Sequence, residues 1–150
     1  MNEIVSRVWV DMKGLDKFKP VVEVAIKLGL YECAKMLGKE VDYEIGTAGR
    51  TGRVYPSKTG IGLHTAAAAG QPISEDTGGT QSDIKIFLDE LDQNLVRLGW
   101  EGRRADQMIA QELGRADGTM PAHPTLVPVA TRMWFPMTVE MQRILKVIKF

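Results

Sequence analysis

The segment from Gly46 to Gln81, "GTAGRTGRVYPSKTGIGLHTAAAAGQPISEDTGGTQ", takes almost a quarter of a 150-residue chain and holds eight glycines and two prolines. Neither the period of an amphipathic helix nor the alternation of a half-buried strand runs through it. A loop this long is uncommon in a compact domain, and where it occurs it is functional or stays disordered until bound. Its glycines make it costly to order, so whatever orders it must supply many contacts. The core has to come from the residues on either side.

Those residues are periodic. Ile4 to Asp11, "IVSRVWVD", alternates as a short strand with Val8 and Val10 on one side and Trp9 on the other. Asp16 is placed to cap a helix over about 16–45, with Pro20 near enough to its first turn to be tolerated. Val22, Ile26, Leu30, Cys33 and Leu37 form its apolar stripe, and Glu23 precedes Lys27 in the favourable order. Gly29 and Gly38 each cost such a helix about 1 kcal/mol, which implies close packing at those two points.

Beyond the glycine-rich segment, "DIKIFL" (Asp83 to Leu88) and "NLVRLGW" (Asn94 to Trp100) read as an antiparallel hairpin around a polar turn. "RADQMIAQELG" reads as a short helix with Met108, Ile109 and Leu113 on one face and Gly114 as its C-cap. A last helix starts at Pro128 and carries Val129, Met133, Met137, Met141, Ile144 and Ile148, with Pro136 expected to kink or split it. The expected fold is α+β, a single domain over 1–150. Long N-terminal and C-terminal helices pack on a small antiparallel sheet, and a long Gly-rich loop or arm spans 46–82.

The inventory for chemistry is thin. "GRTGRVYPSKTG" lacks the GxxxxGK[ST] order and follows a helix, which argues against a phosphate loop. His64 and His123 stand far apart with no ligand partner at metal spacing, and Cys33 sits on an apolar stripe where a small buried hydrophobe is the simpler reading. No GxSxG elbow or carboxylate pair stands out. The expectation is a protein that is not an enzyme and uses no cofactor or metal. With one cysteine no disulfide forms within the chain, and a reducing compartment follows. "MNEIVSRVWVDMK" lacks a signal-peptide pattern and no apolar run approaches the ~20 residues of a membrane span, so an unexported, soluble chain is expected.

Charge is balanced overall, at 19 basic and 19 acidic residues, so net charge says nothing of a nucleic-acid or membrane partner. Its distribution is uneven. Gly46 to Thr65 carries Arg50, Arg53 and Lys58 and no acid, whereas Glu75 to Asp92 carries Glu75, Asp76, Asp83, Asp89, Glu90 and Asp92 against Lys85 alone. One reading is solvated loop. The other is that basic loops of one subunit meet acidic hairpins of the next, a heterologous contact that closes rings.

"GRTGRVYPSKTGIGLHTAAAAGQPISEDTGGTQSDIKI" and "ADQMIAQELGRADGTMPAHPTLVPVA" together resemble the tail-completion or neck proteins of long-tailed bacteriophages, the group similar to the lambda-type minor tail protein Z. Thr51 to Tyr55, His64, Ala66, Gly70, Pro72 and Asp76 to Gly78 occupy that group's first pattern. Ala110, Glu112, Gly114, Ala122, Pro124, Leu126, Pro128 and Ala130 occupy its second. "GLDKF" ahead of the long helix resembles the group's start, and the likeness covers almost the whole chain. Departures fall at Gly79-Thr80 for arginine-leucine, Ile109 for tyrosine, and Leu113 and Thr125 for phenylalanine.

The resemblance implies a structural virion protein in a homo-oligomeric ring at the head–tail junction, completing or joining the tail and letting genomic DNA pass. Its partners would be itself, the adjacent head–tail connector, tail terminator or tail tube proteins, and DNA phosphates in the lumen without sequence preference. It would reside in the virion, and in the host cytoplasm during assembly, with no membrane partner. The candidate interface or lumen residues are Arg50, Arg53, Tyr55, Lys58, Asp76, Asp89, Glu90 and Asp92. The alternatives are a tail terminator capping the tube, or a small ligand-binding module or enzyme with a Gly-rich lid.

Overall fold

A computed structural model describes residues 19–73, 79–88 and 90–147. The strand expected at 4–11 and the Asp16 cap lie outside them, as do Asp76, Asp89 and Ile148. The elements run α1 (Lys19–Thr47), β1 (Val54–Pro56), β2 (Leu63–Thr65), α2 (Gly79–Ser82), β3 (Lys85–Phe87), β4 (Arg97–Gly99), α3 (Gly102–Leu113) and α4 (Leu126–Lys146), with a 3-10 turn at Leu91–Gln93. The architecture is α+β, with long first and last helices and antiparallel strands. Those strands form two separate ladders, β1–β2 and β3–β4.

The helices α1 and α4 share the most extensive contact of any two elements. A small residue makes it close, since a Cβ on Gly29 would fall on the Met141 thioether; Gly38 instead gives room to β4, where a Cβ would come within 3.2 Å of Leu98 Cδ1. The buried line of α1 is Ala25, Gly29, Ala34, Val41 and Ile45, and the stripe expected from the periodicity is only half-buried. Over the first part of α1 that line is of small residues, Ala25, Gly29 and Ala34, and Val41 and Ile45 continue it towards the core. Arg132 of α4 fastens the pair at one end, reaching Glu40 at 2.9 Å and Glu44 at 2.8 Å.

The core sits where α1 ends and α4 begins. Val41, Ile45, Ile73, Trp100, Met108 and Val129 form one cluster, flanked by Leu37, Ile84, Leu98, Ala105, Leu126 and Met133. Fully burying Val41, Ile45 and Val129 stabilises the fold by about 1.5–3 kcal/mol apiece. Ile73 corrects the expectation that the glycine-rich segment stays out of the core. The Trp100 indole donates to the Thr80 carbonyl at 2.7 Å, which satisfies its one polar atom.

The β3–β4 hairpin has the expected order, with Ile86 opposite Leu98. Gly114 ends α3 with a positive φ of 74°, and a Cβ there would come within 2.9 Å of the Ala122 amide nitrogen. Pro136 neither splits nor ends α4, which is continuous. The helix is anchored on both sides of the proline, by Arg132 before it and by the Cys33 thiol donating to the Met137 carbonyl at 3.4 Å after it. Among the described residues no helix is long and apolar enough to cross a membrane.

Candidate interaction surface

The glycine-rich segment is not one open loop. Its first half folds back as the β1–β2 hairpin, with Val54 opposite Thr65, Tyr55 opposite His64 and Pro56 opposite Leu63. The tip is a turn built on Ser57, whose carbonyl accepts from Gly60 at 3.0 Å and whose amide donates to Gly62 at 3.2 Å. Gly60 and Gly62 both have φ of 77°, the left-handed region that glycine occupies without steric cost.

A clasp closes the root of this arm. Gln71 Oε1 accepts the amides of Thr51 at 3.1 Å and Ala68 at 2.7 Å, and its Nε2 donates to Thr51 Oγ1 at 3.0 Å. Gly52 lies against the returning strand, where a Cβ would come within 2.7 Å of the carbonyl oxygens of Ala66 and Ala67. The glycine of "TGRVY" is thus demanded by backbone packing. Gly70, φ 79°, ties the arm to the rest of the chain by donating to the Ala122 carbonyl at 3.0 Å.

Strand alternation gives the hairpin two unlike faces. Inward, Tyr55 and the buried His64 pack with ring centroids 5.1 Å apart. They line a pocket of about 170 Å³ with Gln111, Met120 and His123. His123 donates its amide to the Gln111 carbonyl at 2.7 Å, and its Nδ1 lies 3.2 Å from the Gln71 carbonyl. The fold thus unites the two histidines that the sequence separates. Among the described residues no three His, Cys, Asp or Glu side chains gather as a metal site.

Outward, the arm is apolar and open: Val54 is 53% exposed, Leu63 74% and, at the tip, Ile61 84%. Charge reasoning overlooked these three residues, because the alternation from Ile61 to His64 is too short to stand out among glycines. Arg53 and Lys58 are exposed on the same arm. Arg50 is half-buried and donates to the Ile45 carbonyl at 3.3 Å, satisfying a carbonyl at the end of α1. Tyr55 faces its own chain.

Of the acidic candidates, the described Glu90 and Asp92 stand in the β3–β4 turn. Glu90 pairs with Arg97 at 3.2 Å, and Asp92 with Lys27 of α1 at 2.7 Å. The Lys27 hydrogen bond, and then its charge, hold the Asp92 carboxyl below the usual carboxylate range. Beside this turn an apolar groove of about 510 Å³ opens between α1, α4 and β4, walled by Leu30, Cys33, Leu37, Leu98, Trp134 and Met141 among others. Cys33 and His64 line different pockets. Burial first, then the charges of Glu140 and Glu32, push the Cys33 thiol up, which makes it a poor nucleophile.

A further exposed apolar stripe runs along α1. Val21, Val24, Leu28 and Tyr31 recur at helical spacing and are all exposed. No protein-family model, curated protein or solved structure matches this chain.

Proposed function

We propose that this is a structural virion protein of the phage neck, forming a homo-oligomeric ring at the head–tail junction through which the genome passes. The observation that carries the reading is the two-faced arm: Tyr55 and His64 fix one side to the chain, and Val54, Ile61 and Leu63 leave the other apolar and exposed. An apolar face of this kind, rimmed by charge, marks a protein–protein contact. The resemblance of the "TGRVY" and "ADQMIAQELG" segments to neck proteins supplies the kind of assembly. The motif residues Gly52, His64, Glu112 and Gly114 serve the fold here, packing the arm and joining α3 to α4, as suits a structural protein.

Mechanism then means assembly. The arm and the helical face lie on different parts of one subunit, so joining them between copies is a head-to-tail contact that closes when the rotation allows. Purified protein taken to high concentration should form closed rings, seen by negative-stain electron microscopy and sized by mass photometry. A monomer at every concentration overturns the ring, and a monomer that binds a small molecule in the pocket beside Tyr55 favours the ligand-binding alternative.

A further inference from the structure

Four segments of the chain converge on the pocket behind the arm, a space of about 170 Å³: Tyr55 comes from β1, His64 from β2, Gln111 from α3 and His123 from the connection between α3 and α4. We infer that this pocket binds a small planar amide, a group that carries N–H donors beside a carbonyl acceptor.

Gln111 selects the chemistry. Its Oε1 is buried with no hydrogen-bond partner, and its Nε2 donates to none of the described residues. A carboxamide offers one carbonyl acceptor next to two N–H donors, and a buried polar group left unmatched costs free energy. Another amide matches both ends at once, giving N–H to Oε1 and C=O to Nε2. Exchanging the oxygen and nitrogen of Gln111 leaves this match intact, because neither end is engaged among the described residues.

His123 adds an acceptor. Its Nδ1 lies 3.2 Å from the Gln71 carbonyl, and a carbonyl only accepts, so Nδ1 carries the proton. The neutral ring then keeps Nε2 as an acceptor, and Nε2 takes no hydrogen bond from the described residues. The second N–H of a primary amide is the donor it calls for, whereas a carboxylate would set acceptors against acceptors. Tyr55 and His64, with ring centroids 5.1 Å apart, supply an aromatic wall for a planar group. Two sources carry this chemistry, a free small amide and the Asn or Gln side chain of another chain. The site lies within one subunit and stands apart from the ring reading.

Acetamide titrated into isotope-labelled protein tests the site, followed by the NMR signals of the Gln111 side-chain amide and the His123 ring. The expected result is a saturable shift of both, with a dissociation constant on the order of 1 mM for so small a ligand. Dimethylacetamide, which lacks N–H, and acetate should not reproduce it. Gln111→Met removes both amide ends and should weaken the His123 response by about tenfold or more. Ala67→Leu fills the pocket with Gln111 in place and should do the same, which keeps the test decisive if the Gln111 variant fails to fold. No shift, a shift that never saturates, one that either control reproduces, or one that persists in the folded variants overturns the site. Free chains and rings that respond alike support a free ligand, and a response confined to free chains supports a neighbour's side chain seated in the ring. A chain that binds acetamide and stays monomeric at every concentration supports the site and overturns the ring.

Discussion

Glu112, in the last turn of α3, holds the start of α4 through Thr125: its Oε2 accepts the Thr125 amide at 2.7 Å. The same oxygen accepts Leu126 at 3.1 Å, and Oε1 accepts Val127 at 3.0 Å. Pro128 has no amide to satisfy, and the Val129 amide reaches the Thr125 carbonyl at 3.2 Å. One carboxylate thereby meets the amide demand of a helix start and complements the positive end of its dipole. Thr125, fully buried, continues the chain of bonds by accepting the Ile73 amide on Oγ1 at 3.0 Å.

Glu112→Ala should therefore cost about 1–3 kcal/mol, the penalty for leaving partly buried amides unpaired. In a domain of this size that is a fall in Tm of very roughly 2–4 °C per kcal/mol. Glu112→Gln keeps an acceptor and should lose less. Thermal unfolding followed by circular dichroism checks the order, and an alanine variant as stable as the parent dismisses the cap.

Gly52→Ala should loosen the arm without unfolding the domain. Its Cβ would meet two backbone carbonyl oxygens at 2.7 Å, and backbone cannot swing aside as a side-chain end can. Overpacking of this kind costs about 1–3 kcal/mol, and here the strain falls on the β1–β2 ladder. Hydrogen exchange should rise at the Ala66 amide, which donates to the Arg53 carbonyl at 2.9 Å, and stay unchanged at Val129.

Much of this was legible in the sequence, and what was not depends on distant partners. The α1 period and the alternation around "DELDQ" are local signals, and both elements formed. The β1–β2 ladder is three residues long on each side, too short for alternation to stand out among glycines. Gly52 is required by a strand that returns fourteen residues later, and Glu112 acts on amides thirteen to fifteen residues away. The bond of Arg50 to the Ile45 carbonyl was not legible, because no local pattern announces it. The buried line of α1 passes through Gly29 rather than the expected stripe because Met141 of α4 packs there, a fact that belongs to the pair of helices.

The Asp92 carboxyl should titrate below the ordinary value of about 3.9, and the Lys27→Met variant should raise its midpoint. The sign follows from linkage: a depressed folded pKa contributes stability above the unfolded value, lost as pH falls through the folded one. Asp117, held low by Thr119, and Glu140, held low by Arg143, act in the same direction. All three are on the surface, so the acid loss below about pH 4 should be small and weakened by salt. Carboxyl carbon shifts measured by NMR against pH give the midpoints, and an Asp92 value indifferent to Lys27→Met rules out the pair.

Trypsin should distinguish the free chain from the assembled one at a single bond. The clasp at Gln71 and the packing of Tyr55 on His64 hold the arm's root, whereas the tip from Ser57 to Leu63 projects with Lys58 exposed. Cleavage after Lys58 requires that turn to open, which costs little where few buried contacts hold it. In the free chain the first cut should fall there, ahead of Arg132, which is held by Glu40 and Glu44 within a helix. In rings the tip is covered, and cleavage after Lys58 should slow by tenfold or more while sites on exposed helix faces are cut at unchanged rates. Mass spectrometry of the early fragments reads both rates in one experiment, and equal rates at Lys58 in the two states would sink the proposed role of the arm in assembly.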